Sequence, residues 1–108
     1  MVDGNERLCG MLGFAMRAGR VIIGTELVCT AMSKHGRGKP LLVLVSSDAS
    51  AATKKKVTVK SDFYDIEALE IGIDAEKLGR LLGKTYAPVV IGITDERFAE
   101  EIKRAVLS

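Results

Sequence analysis

Apolar residues along this chain keep two alternating rhythms. Leu8, Leu12, Ala15 and Met16 fall at three- and four-residue steps, the spacing that places side chains on one face of an α-helix. Asp3 or Asn5 is positioned to cap that helix and Gly19 to end it. Arg20-Val-Ile-Ile23 then reads as a short β-branched strand, and Gly24-Thr25 turns it into a second helix through Leu27, Val28, Ala31 and Met32. The glycine-rich stretch from His35 to Pro40 stops the second helix. Leu41 to Val45 is apolar at every position, as expected of a strand covered on both faces.

Ser50 predicts the cap of a third helix carrying Lys54, Lys55, Lys56 and Lys60, although Val57, Thr58 and Val59 weaken its propensity. A strand over Ala68 to Ile71 leads to Asp74, which caps a fourth helix through Leu78, Leu81 and Leu82 as far as Gly83. The loop from Lys84 to Pro88 precedes a last apolar strand, Val89 to Ile93, and Asp95 opens a final helix through Phe98, Ile102 and Val106. Such alternation predicts the α/β class: a three-layer α/β/α sandwich around one mixed sheet of about four strands. With no repeat or linker, residues 1–108 read as a single domain. The pattern leaves strand order open.

Charge changes the picture more by its placement than by its sum of +2. Residues 1–60 carry ten Lys/Arg against four Asp/Glu, and residues 61–108 carry six against ten. A basic half on a nearly neutral chain permits a local polyanion site. The same lysines also fit a solvated helix face, and Lys54 to Lys56 are read that way. No stretch approaches the length that spans a bilayer, and the opening residues lack a basic segment before an apolar run. A cytoplasmic chain, a monomer without membrane attachment, is expected.

Nucleophile and metal chemistry find little support. Cys9 and Cys29 sit in apolar helical patterns that suit reduced core thiols. The single histidine, His35, falls among glycines at a helix end and makes no oriented pair with Cys29. Two cysteines twenty residues apart and one histidine do not supply four metal ligands. Neither GxGxxG after a strand nor GxxxxGK[ST] occurs. No catalytic residue, metal or cofactor is therefore expected.

Two features remain. Gly24 ends a strand and opens a helix whose free N–H groups could hold an anion, although an ordinary strand-to-helix turn looks the same in sequence. In the loop, Tyr86, Ala87 and Pro88 offer apolar surface beside Lys84, suited to an unpaired base. Equally, Tyr86 could lid the core.

Several short motifs in order carry a more specific signal. Leu12-Gly-Phe-Ala-Met-Arg-Ala-Gly-Arg20, Gly24-Thr-Glu-Leu-Val28, Leu42-Val-Leu-Val45 with Asp48-Ala-Ser50, Thr53-Lys-Lys-Lys56, Leu78-Gly-Arg-Leu-Leu-Gly-Lys84 and Val90-Ile-Gly-Ile-Thr-Asp95 together resemble the kink-turn-binding ribosomal protein family. That family includes the archaeal large-subunit protein L-seven-Ae and the eukaryotic large-subunit protein thirty-e, and its bacterial YlxQ-like branch is the most similar. The resemblance spans about residues 8 to 102. It implies an α/β/α fold in which the start of the second helix docks on sheared G·A pairs and a loop near the C-terminus covers a flipped-out nucleotide.

Carried onto this chain, the resemblance marks Gly24, Thr25, Glu26 and Thr30 on the helix and Lys84, Tyr86, Ala87 and Pro88 in the loop, with Arg20 and Lys34 as flanking cations. The family motif G-x-N-E, with lysine three residues later, falls on Gly24, Thr25, Glu26, Leu27 and Thr30. Glu26 thus stands where an amide is expected. An Asn amide can serve both N1–H and O6 of a sheared guanine, whereas a carboxylate only accepts. Thr30 supplies a hydroxyl where the motif has a cation. The implied function is non-catalytic binding of a structured RNA, a kink-turn or related element, linked to the ribosome or translation. The alternative is a protein-interaction module using the acidic final helix with Glu96, Glu100 and Glu101.

Overall fold

The computed structural model describes residues 4–108. Its elements in chain order are α1 (Gly4–Arg17), β1 (Val21–Ile23), α2 (Thr25–Met32), β2 (Leu42–Val45), α3 (Ala51–Phe63), β3 (Glu67–Glu70), α4 (Ala75–Leu81), β4 (Val90–Ile93) and α5 (Glu96–Leu107). The four strands form one mixed sheet in the order β1-β4-β2-β3. β4 runs antiparallel to both β1 and β2, with Ile23 opposite Ile91 and Val45 opposite Val90, while β2 and β3 are parallel.

Alternation along the strands divides the core in two. Leu42, Leu44, Ile91 and Ile93 pack with Leu8 and Leu12 of α1, Leu78 of α4 and Ile102 of α5. Val43, Val45 and Val90 pack with Val28 and Met32 of α2 and Val57 of α3 on the other face. Successive strand side chains point to opposite faces, so these two clusters are the two sides of one sheet. The expected α/β/α sandwich and mixed four-stranded sheet are what the chain forms.

Three helices start as their sequences say. The side chains of Ser50, Asp74 and Asp95 accept from the backbone N–H of Thr53, Lys77 and Phe98. α3 runs unbroken through Val57, Thr58 and Val59. Their propensity penalty relative to alanine amounts to about 2 kcal/mol at most, and complete burial of Val57 offsets it with about 1.5–3 kcal/mol. α1 differs from expectation. Asp3 lies outside the described residues, and Asn5 lies within the helix, where its amide donates to Gly72 O at 3.3 Å instead of capping. Strand edges also shift: Arg20, Leu41 and Val89 precede their strands, and Leu41 is exposed.

Candidate nucleic-acid interface

β1, β4 and β2 bring several chain segments to one end of the sheet. Gly24 follows the last residue of β1, and its N–H donates to the carbonyl of Val90, the first residue of β4, at 2.9 Å. The loop from Lys84 to Pro88 leads into β4 from the same end. The second-helix start and the loop, sixty residues apart in sequence, are therefore neighbours in space.

Gly24 has φ +112° and ψ 142°, a conformation that side-chain-bearing residues rarely adopt. It lets the chain leave β1 and enter α2 without an intervening loop. No side chain caps α2, and its first intrahelical bond is Val28 N–H to Gly24 O at 3.0 Å. The amides of Thr25, Glu26 and Leu27 thus form an uncapped first turn, the arrangement that favours an anion.

The loop is held from beneath by Gly79 of α4. A Cβ at that position would lie far inside contact distance of the Tyr86 carbonyl and 3.3 Å from Pro88 Cδ; Gly79 O also accepts from the Lys84 N–H at 2.8 Å. The glycine lets the loop backbone lie directly against the helix. Pro88 is therefore buried rather than exposed as expected from sequence: it seats the loop on α4. Ala87 is exposed, Lys84 is half-buried, and Tyr86 is 54 % exposed, so its ring does not lid the core. Leu27 is 64 % exposed, because Val28, Ala31 and Met32 take the face toward the sheet.

Glu26 and Thr30 are both exposed and one turn apart on α2. A cation reaches Glu26 from another element. Lys56 of α3 donates to Glu26 Oε1 at 2.6 Å. This hydrogen bond, with the ammonium charge, holds the Glu26 carboxyl below its ordinary value, and the carboxylate raises Lys56 in return. Lys56 was read in sequence as part of a solvated face; thirty residues of separation gave no signal of the pair beyond the gap at Thr30. Lys54, by contrast, pairs with Glu70 of β3.

Arg20 and Lys34 are not brought to this end. Arg20 O accepts from Thr94 N–H at 3.0 Å, at the opposite end of β1, roughly 13 Å from Gly24 at a strand's rise per residue. Lys34 follows the last turn of α2, also roughly 13 Å along the helix from its start. Both are exposed. Cys29 is buried and Cys9 half-buried, both as free thiols. Among the described residues no group of three His, Cys, Asp or Glu is arranged to hold a metal ion, and no helix is long and apolar enough to cross a membrane.

Comparison with known proteins agrees with this architecture. Residues 6–103 match the model of the ribosomal protein L7Ae/L30e/S12e/Gadd45 family. The RNA-binding protein YlxQ of Enterococcus faecium is 36 % identical over 107 residues, covering 98 % of both chains. The large ribosomal subunit protein eL30 of Sulfolobus acidocaldarius is 33 % identical over 101 residues, covering 88 % of this chain and 94 % of that one. A solved structure of a Bacillus halodurans protein with unknown function superposes with a TM-score of 0.84 at 34 % identity, covering 94 % of this chain and 98 % of the other. The chain belongs to the ribosomal protein L7Ae/L30e/S12e/Gadd45 family, a family of ribosomal-type proteins and not of enzymes.

Proposed function

We propose that this chain is a non-catalytic RNA-binding protein that recognises a folded RNA of the kink-turn type, working with the ribosome or in translation as a cytoplasmic monomer. In this reading the uncapped start of α2, from Gly24 to Leu27, meets the sheared G·A pairs and their phosphates. Tyr86 and Ala87 cover the extruded nucleotide, with Lys84 beside it and Pro88 fixing the loop. Arg20 and Lys34, at the far end, reach RNA only where a flanking strand continues along α2. The observation that carries the reading is the Gly24-to-Val90 hydrogen bond, which joins an open helix start to the strand that follows the loop.

The test is a titration against a kink-turn RNA and a control whose G·A pairs are converted to Watson–Crick pairs, at about 50 and about 200 mM salt. Preferential binding to the intact RNA is expected, with log K falling against log salt by roughly 0.7–0.9 per phosphate contacted. Absence of binding to either RNA would contradict the reading and direct attention to protein partners of α5.

A further inference from the structure

Glu26 stands where the family motif carries an amide, and a carboxylate alone offers a guanine edge only acceptors. Its partner alters what that position presents. Lys56 Nζ lies 2.6 Å from Glu26 Oε1, which sets a donor group and an acceptor group side by side. An ammonium has three protons, and a carboxylate has about four lone-pair sites. The contact consumes one of each and leaves both kinds of group to spare. Both remain accessible, the Glu26 side chain 82 % exposed and that of Lys56 48 % exposed. Glu26 belongs to the first turn of α2 and Lys56 reaches it from α3, so the contact lies beside the open amides.

We propose that Lys56 is a specificity-determining residue of this interface, forming with Glu26 a composite donor–acceptor unit that reads the N1–H and O6 edge of a sheared guanine in RNA. Glu26 accepts from N1–H and Lys56 donates to O6, so two side chains from two helices do what one amide does in the family motif. The pair is neutral in sum, which lessens the repulsion that a lone carboxylate would exert on neighbouring phosphates. This inference rests on the RNA-binding reading above.

The experiment crosses protein variants with a base replacement. Replacing a sheared guanine of the kink-turn by 2-aminopurine removes O6 and the N1 proton but keeps the N2 amino group and N3 that form the sheared pair. The wild-type protein is expected to lose about tenfold in affinity on that replacement, within the range of a two-bond base contact. Lys56→Met is expected to bind the guanine RNA about tenfold more weakly than wild type and to be nearly indifferent to the replacement. Lys56→Arg, which keeps a donor, and the double variant Lys56→Met with Glu26→Gln, whose amide supplies both groups, should recover discrimination. Thermal melting checks that the variants fold, as expected for exposed positions.

If Lys56→Met distinguishes guanine from 2-aminopurine as sharply as wild type, the composite reader is wrong while the RNA-binding function stands. If wild type does not separate the kink-turn from its Watson–Crick control, the functional reading itself fails and the inference with it.

Discussion

α3, α4 and α5 each begin on a side-chain cap, whereas α2 begins on a glycine that contributes no side chain. The capped starts satisfy their own amides and gain about 1 kcal/mol each from doing so. α2 forgoes that gain and holds its start in place through the Gly24 N–H on Val90 O. The difference separates helix starts whose amides are met by a side chain of their own from one whose first amides take no side-chain cap, the start to which the proposed RNA contact is assigned. It also explains why a residue with φ +112° stands here, since only glycine makes the transition from β1 to α2 without strain.

The sharpest way to break this contrast is to give α2 a cap. Gly24→Asp places a carboxylate over the open amides, and binding to kink-turn RNA is expected to fall by about a hundredfold or more at low salt, through charge and blocked donors together. Gly24→Ala carries the same backbone strain, about 1–3 kcal/mol, without covering the amides. It should lower the melting temperature similarly and keep more of the binding. Equal binding losses in the two variants would show that strain alone is responsible.

The loop partner of the helix start can be displaced next. Gly79→Ala cannot be accommodated without moving the Tyr86 carbonyl or α4, and about a tenfold loss of RNA affinity is expected for a displacement of a contact loop. Faster hydrogen exchange at the Lys84 amide, which bonds to Gly79 O, would accompany it. Unchanged exchange and affinity would mean that the loop does not depend on this seat.

Removing a cap that serves only the fold should have the opposite profile. Asp95→Ala is expected to cost about 1 kcal/mol of stability by denaturant unfolding and to leave RNA affinity within about twofold at a temperature where the protein stays folded. The smallest effect belongs to the far end of the sheet. Lys34→Ala should lower the salt slope by about one if a flanking RNA strand reaches it and leave the slope unchanged if the RNA ends at the first turns of α2 and α3.

The capped helix starts were readable from sequence because each depends on residues three apart. The two central strands were readable because burial on both faces makes them apolar throughout. The strand order was not, because pairing of β1 with β4 joins residues about seventy apart through local patterns that look alike. The same limit applies to the site. Gly24 and the loop could be marked one by one, but their adjacency depends on the β1–β4 register. Lys56 looked like any solvated lysine until folding set α3 beside α2. Pro88 misled because hydrophobicity alone does not give direction: Gly79 draws the proline inward. Arg20 and Lys34 are near Gly24 in sequence and distant in space, since a strand and a helix each carry the chain away from the turn.

In the proposed complex the RNA meets the open start of α2 and the loop beside it. The most direct measurement is a two-dimensional amide NMR titration of the labelled protein with kink-turn RNA. The largest shifts are expected at Thr25, Glu26, Leu27, Lys84, Tyr86 and Ala87, with little change in the capped first turn of α5. Shifts concentrated on α5 or at the far end of the sheet, with the first turn of α2 unaffected, would contradict the account.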